Sequence, residues 1–500
     1  MSLFRTKSVE QSIAETDEPE HRLRKNLTAL DLTIFGVGVI VGAGIFVYTG
    51  TVAAQNSGPA ISVSFLVAGL ACALAALCYA EFASTVPVAG SAYTFSYATF
   101  GEFVAWLIGW DLVLEFTVGG AALASSFSGY LQSLLAGTPF EVPVALGSAT
   151  DGVVNLPAMV IALLVTAVLA RGIKLASIVN QVVTAIKLAV VALVIVLGLS
   201  YVRVANWVPF VPESESVPAG DASFGTSPLV TTLFGLEPAV FGWAGVMAGA
   251  AVVFFAFLGF DVVATVAEET RNPQRDVPRG ILFSLAIVTS LYVAVSLVVT
   301  GMQSYTDIDP EDSAPLATAF RVVGQDWVGD VIAVGATIGL TVVTMTLVMG
   351  QTRVGFAMAR DGLLPRWLAK VHPDYRTPSR ITVISGAGVA LLAGFVDFET
   401  LGHLVSIGTL FAFILVAVGV LVLRRTRPDL QRGFRVPAAG VVAPLSVLLS
   451  FYLMLNLVGD TWLRFLAWMA VGVVVYFAYG RRHSRLGQQQ AAGTGTVPTA

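Results

Sequence analysis

The stretch Gly36-Val37-Gly38-Val39-Ile40-Val41-Gly42-Ala43-Gly44-Ile45-Phe46 decides how this chain is read. It lies inside a mostly apolar run over 27–48, long enough to span a bilayer. Yet it holds four glycines, two of them in Gly42-Ala43-Gly44. Each glycine costs a helix about 1 kcal/mol relative to alanine. A glycine cluster in mid-membrane therefore points to a helix that breaks there. In hydrocarbon a break leaves N–H and C=O groups without partners, which is tolerated only where something polar meets them. A substrate is one such partner. Three other readings stand beside it. Gly38-x-x-x-Gly42 is a helix-packing spacing. Gly36-x-Gly38 matches part of a dinucleotide loop, but that loop needs a strand before it in a soluble βαβ unit. Glycine is also simply tolerated in membrane helices.

Composition narrows the class. The chain has 500 residues, 56% hydrophobic and 12% charged, whereas soluble domains are about 25% charged. It reads as an all-α polytopic membrane protein. A net charge of −4 gives no pointer to nucleic acid. Cys72 and Cys78 fall in an apolar run and imply no disulfide framework. Residues 1–26 are polar and charged, a soluble tail rather than a cleaved signal peptide. The end of the chain, 483–500, is rich in Gln, Gly and Thr over its last part and reads as a disordered tail.

Apolar runs of spanning length fall near 27–49, 59–83, 97–135, 154–170, 176–201, 244–267, 280–303, 327–351, 381–396, 401–423, 439–458 and 461–480, which makes twelve spans. The third is long enough to require tilt or extension beyond the bilayer. Alternate connecting segments hold 24 of the 28 Lys and Arg residues, the other segments hold three, and Lys187 lies within a span. Basic residues stay in the cytoplasm, so both termini are expected there.

The sixth span repeats the theme of the first. Phe254-Phe255-Ala256-Phe257-Leu258-Gly259-Phe260-Asp261 sets a glycine in mid-span beside an aspartate. The two interrupted spans are five apart, so they cross in opposite directions. Matching breaks in two inverted halves are the best sequence pointer to a transporter binding site. This favours the broken-helix reading of the opening stretch, because packing glycines alone predict no partner.

Charges inside spans are functional hypotheses by default. Lys187 lies eleven residues into the fifth span, about 16 Å deep, which is far for snorkelling. It could load and release a proton, or it could be a structural ammonium holding the carbonyls of a broken helix. Asp111 and Glu115 lie four apart, on one helical face. Glu115 could face a binding cavity or hydrogen-bond a neighbour. Asp31, in the first turns of its span near the interface, reads as solvated or capping. Asp261, Glu268 and Glu269 read as a structural gate with the basic loop 271–279, and Glu81 and Glu102 as a pair or caps around one loop. Most tryptophans sit near span ends, as interfacial anchors do. Nothing suggests metal ligation, a cofactor or a catalytic set. With no ATP-binding module, uphill transport would need an ion gradient.

Several motifs taken together resemble the amino acid–polyamine–organocation superfamily, and within it the cationic amino acid transporter branch. They are Gly42-Ala43-Gly44-Ile45-Phe46, Tyr79-Ala80-Glu81 through Pro87-x-x-Gly90-Ser91-x-Tyr93, Gly109-Trp110-Asp111-Leu112-x-Leu114-Glu115, Phe254 to Asp261 with Glu268-Glu269, and Gly350-Gln351-x-Arg353 with Ala357-Met358-Ala359-Arg360-Asp361-Gly362-Leu363-Leu364-Pro365. The resemblance covers 25–482. It implies a LeuT-type fold: a 5+5 inverted repeat over 27–201 and 244–423, then two C-terminal helices over 439–480, the whole permease domain being 27–482. It also implies an α-amino acid held between the two breaks. Its carboxylate would meet the N–H groups near Ala43, Gly44 and Ile45. Its amine would meet carbonyls at Ile40, Phe255, Ala256 and Leu258. Phe257, Glu115 and Leu340 would be wall residues. Proton-coupled members carry a lysine where Lys187 stands, against the Gly42 carbonyl region. Position 43 is often Ser or Thr in relatives. Ala43 lacks that hydroxyl, so a side-chain contact to the carboxylate is lost.

The resulting expectation is an amino acid permease of the plasma membrane that works by alternating access and proton symport, with amino acid, protons and the lipid bilayer as its partners. An exchanger or facilitative carrier without proton coupling, and a non-transporting amino acid sensor, are the alternatives.

Overall fold

A computed structural model describes residues 5–6, 26–86, 91–172, 177–216, 223–237, 239–375 and 377–491. Most of the expected N-terminal tail, residues 87–90 of the second motif, Lys174, Arg376 and the last nine residues lie outside the described residues, as does the side chain of Glu268.

The chain is built from helices because hydrocarbon offers the backbone no other donors or acceptors. The main ones are α1 (Ala29–Ile40), α2 (Ala43–Phe46), α3 (Ile61–Thr85), α4 (Ser91–Thr99), α5 (Glu102–Leu135), α6 (Leu156–Ala170), α7 (Ser177–Gly198), α8 (Gly242–Val253) and α9 (Val262–Thr265). They continue with α10 (Pro273–Met302), α11 (Pro315–Val322), α12 (Asp326–Arg360), α13 (Ser379–Phe395), α14 (Phe398–Thr426), α15 (Ala439–Leu455), α16 (Gly459–Val475) and α17 (Arg485–Ala491). Among the described residues, eight stretches are long and apolar enough to cross a membrane, and α1, α6, α13 and α15 are shorter apolar helices. One two-stranded pairing, Glu215–Ser216 with Ala239–Val240, lies between α7 and α8.

Two helices are interrupted where the glycines stand. The entry to α1 is a capping box: Thr28 Oγ1 accepts from the Asp31 N–H, and the Asp31 carboxylate accepts from the Thr28 N–H at 3.0 Å. Such a cap stabilises a helix by about 1 kcal/mol, and it is one of the two roles expected of Asp31. The helix then stops at Ile40, because Val41 turns extended (φ −68°, ψ 96°) and Gly42 takes φ −147°, ψ −145°. Helical geometry resumes in α2 and again over Tyr48–Val52. In the sixth span, α8 tightens into a 3₁₀ turn over Phe254–Phe257, and the chain reverses character at Gly259, φ +107°. That backbone region is open to glycine and strained for other residues. The two interrupted segments also meet at one end, where the Leu27 N–H donates to Glu269 O at 3.0 Å and the Arg271 N–H to Leu27 O at 2.9 Å.

Long helices pack in pairs. The most extensive contacts join α5 to α12, α10 to both α3 and α1, α6 to α13, and α14 to both α15 and α5. Small residues allow the close approaches. Gly339 on α12 faces the stem of Lys187, and a Cβ there would lie 2.5 Å from its Cδ.

Several expectations change. The third apolar run is two helices: Gly101 (φ +90°) separates α4 from α5. Glu81 and Glu102 do not share a loop network. Glu81 accepts from Arg424 Nε at 2.8 Å and Nη2 at 2.5 Å and from the Val436 N–H at 2.7 Å, with Arg432 Nε at 3.4 Å. Glu102 instead accepts from Tyr97 and Tyr476 at 3.0 Å each and from Ser484, with Arg5 at 3.5 Å. These contacts also order part of the supposed disordered tail, since α17 follows Ser484 and the Arg485 N–H donates to Asp361 O. Three of the tryptophans are packing residues rather than interfacial anchors. Trp110 stacks on Trp468 at 4.6 Å, and the fully buried Trp106 donates to Gly472 O, tying α5 to α16.

Candidate functional site

The two breaks lie against one another. A methyl group on Gly44 would fall on the Cα and Cβ of Ala256, and one on Gly259 would lie 2.5 Å from Val39 Cγ1. Ile40, Ala43, Gly44, Ile45, Phe255, Ala256, Phe257 and Leu258 are all buried in this contact zone or beside it. The fold thus brings together the backbone positions that the sequence singled out.

Helix geometry explains what each freed group does. In an uninterrupted helix, Gly38 O would receive the N–H of residue 42 and Val41 O that of residue 45. The turn at Val41–Gly42 removes both donors. Lys187 supplies replacements: its ammonium donates to Gly38 O and, at 3.0 Å, to Val41 O. Lys187 is 1% exposed. The Gly42 carbonyl is not its partner, because that oxygen accepts from the Phe46 N–H at 3.3 Å. The ammonium therefore holds the carbonyls before the glycine.

One further carbonyl of the first break, Ile40, and one of the second, Ala256, share a partner that sequence reasoning missed. The Tyr292 hydroxyl on α10 lies 2.8 Å from Ile40 O and 2.7 Å from Ala256 O. Phe255 O accepts from the Leu258 N–H at 3.0 Å. Tyr130 on α5 likewise donates to Phe46 O at 2.6 Å. A single tyrosine in an apolar helix carries no periodic signal, so nothing in the sequence marked Tyr292.

Walls come from α5, α12 and α14. Leu123 and Val343 face Gly42, and Leu258 packs over Gly119. Leu340 is fully buried beside Gly339, and Val343, a turn further on, approaches the first break at Gly42. Tyr48, Phe255 and Phe398 form an aromatic cluster, with centroids 5.4 Å apart for Tyr48 and Phe255 and 4.9 Å for Tyr48 and Phe398. A second cluster joins Tyr79, Phe254, Phe260 and Phe413.

Glu115 is buried among acids. Asp111 and Asp261 are its electrostatic neighbours, and the Thr409 hydroxyl lies beside it. Both oxygens of Asp111, Oε1 of Glu115 and Oδ2 of Asp261 have no protein hydrogen-bond partner. This places Asp261 away from the expected gate with loop 271–279, since it turns toward α5 directly after the break. Glu269 does form an ion pair, with Arg353 of α12 at 3.5 Å rather than with that loop.

Comparison with known proteins identifies the scaffold. The profile of the amino acid permease family matches residues 27–476. The chain is an amino acid permease of the amino acid–polyamine–organocation superfamily. The permease is 46% identical over 489 residues to the methylthioribose transporter of Bacillus subtilis (strain 168), a match covering 97% of this chain and 99% of that protein. It is 45% identical over 493 residues to the branched-chain amino acid permease BcaP of the same organism, with the same coverage. Cationic amino acid transporter 4, vacuolar, of Arabidopsis thaliana is 39% identical over 432 residues, which are 86% of this permease and 68% of that protein. The permease is an integral membrane transporter that resembles the cationic amino acid transporters.

Proposed function

We propose that this permease carries amino acids across the plasma membrane by alternating access, driven by protons, on a LeuT-type scaffold of twelve spans with both termini in the cytoplasm. The observation that carries the reading is the junction of the two breaks, where Gly44 meets Ala256 and Gly259 meets Val39. Freed N–H groups of Ala43, Gly44 and Ile45 suit a carboxylate, and the carbonyls at Ile40, Phe255, Ala256 and Leu258 suit an amine. Two features support the scaffold. The breaks fall five spans apart, and α3, α5 and α6 each pack most extensively on the helix five spans later. Lys187 supports proton coupling: an ammonium that gives up a proton goes from three donors to two and gains a lone pair, so its hold on Gly38 O and Val41 O changes with protonation.

The substrate is a neutral, apolar amino acid. Phe255, Phe257, Leu340 and the Tyr48–Phe398 ring pair present apolar surface. The relative named for branched-chain amino acids fits this wall. A second reading, a methylthioribose-like polyol thioether, is favoured by the relative of that name, because backbone carbonyls and N–H groups read hydroxyls as well as amines. A binding panel on purified permease tests the choice, using the twenty amino acids and methylthioribose. Leucine, isoleucine and valine should bind most tightly. Methylthioribose binding with no amino acid competing would overturn the amino acid assignment, and lysine or arginine leading the panel would overturn the neutral one.

A further inference from the structure

Tyr292 offers the same donor to an acceptor from each break. Its ring is fully buried and fixed between Phe65, 5.2 Å away, and Phe257, 5.3 Å away. Its hydroxyl oxygen is 2.8 Å from Ile40 O and 2.7 Å from Ala256 O. A phenol has one hydrogen to donate. It can satisfy only one of the two carbonyls at a time, and each carbonyl keeps a further lone pair. A protonated amine has several N–H donors and can satisfy both at once.

We propose that the Tyr292 hydroxyl stands in for the amine of the substrate. In a carrier without substrate its one hydrogen serves Ile40 O or Ala256 O in turn, which keeps both breaks on the same side chain and so permits the empty carrier to reorient. The inference rests on the reading that an amine meets these carbonyls. When the amine arrives it takes over the bridging and the hydroxyl becomes redundant. Tyr292 is then a positioning residue for the empty half of the cycle and is dispensable in the loaded half.

The two halves are separable by experiment. Net uptake requires the empty carrier to return, whereas exchange of labelled for unlabelled substrate uses loaded steps alone. In proteoliposomes, Tyr292→Phe should lower net leucine uptake about tenfold, the order of one lost hydrogen bond. Leucine–leucine exchange should stay within about twofold of wild type. Exchange at that rate also shows that the variant is folded. Equal losses in both modes, or no loss of net uptake, would overturn the proposal. Should the variant not fold, the wild type still decides: its exchange should exceed its net uptake by less than about tenfold, and a larger ratio refutes an assisted empty return. The des-amino analogue 4-methylpentanoate separates this failure from that of the site itself. If wild type binds it as tightly as leucine, no amine is read at these carbonyls. If it binds far more weakly and Tyr292→Phe still lowers both modes together, the surrogate role alone is wrong.

Discussion

Gly259→Ala tests whether the two broken segments truly share one closed arrangement. The glycine has φ +107°, and placing alanine in such a region costs about 1–3 kcal/mol. Its methyl group would also lie 2.5 Å from Val39 Cγ1, a buried side chain on α1. Overpacking of that kind costs a further ~1–3 kcal/mol. The sum is about 2–6 kcal/mol, borne by the conformation in which the breaks abut. If transport passes through that conformation, even the lower bound slows it about 30-fold. Val39→Ala removes the clash but not the backbone strain. The double variant should therefore recover part of the loss, with a coupling of about 1–3 kcal/mol in a double-mutant cycle. The assay is initial uptake of labelled leucine in proteoliposomes, alongside thermal unfolding in detergent. Gly259→Ala transporting at the wild-type rate would refute the argument. So would a cycle with no coupling, because Val39 and Gly259 would then not be in contact when it matters.

Two further outcomes are expected. Lys187→Ala deletes the donor to Gly38 O and Val41 O; leucine should then equilibrate across the bilayer without accumulating under an inward proton gradient, and accumulation equal to wild type would show that Lys187 is not the proton site. Glu81→Ala leaves Arg432, whose side chain is 5% exposed, without its carboxylate, and should destabilise the protein by about 3 kcal/mol, the lower end for a broken buried pair because Arg424 is partly solvated; an unchanged unfolding temperature would mean that the loop after α14 is held by other contacts.

The sequence marked what had a backbone reason to be visible. Glycines at 42, 44 and 259 cost helix stability, and the structure places all three where the chain turns or where the two breaks touch. A lysine about 16 Å into an apolar run is too deep to snorkel with ease, which marks Lys187 as either a proton site or a structural ammonium. Side chains whose role depends on distant neighbours were harder to read. Asp261 precedes Glu268 and Glu269 in the chain and was grouped with them, yet the turn at Gly259 sends it toward Glu115 on α5. Glu81 and Glu102 flank one loop in sequence, while their partners come from 424–436 and from both ends of the chain. Tyr292 was invisible because a buried tyrosine resembles any other core aromatic until its hydroxyl is seen between two carbonyls. Helix ends moved for a related reason: Gly101 divides what hydropathy read as one long span.

The central claim is that this permease couples amino acid movement to protons. The most direct measurement follows labelled leucine and internal pH together in proteoliposomes of purified permease, with acid outside. The account predicts that leucine rises above its external concentration while the interior acidifies faster than in leucine-free controls. Leucine that only equilibrates, with no added proton entry, would contradict it.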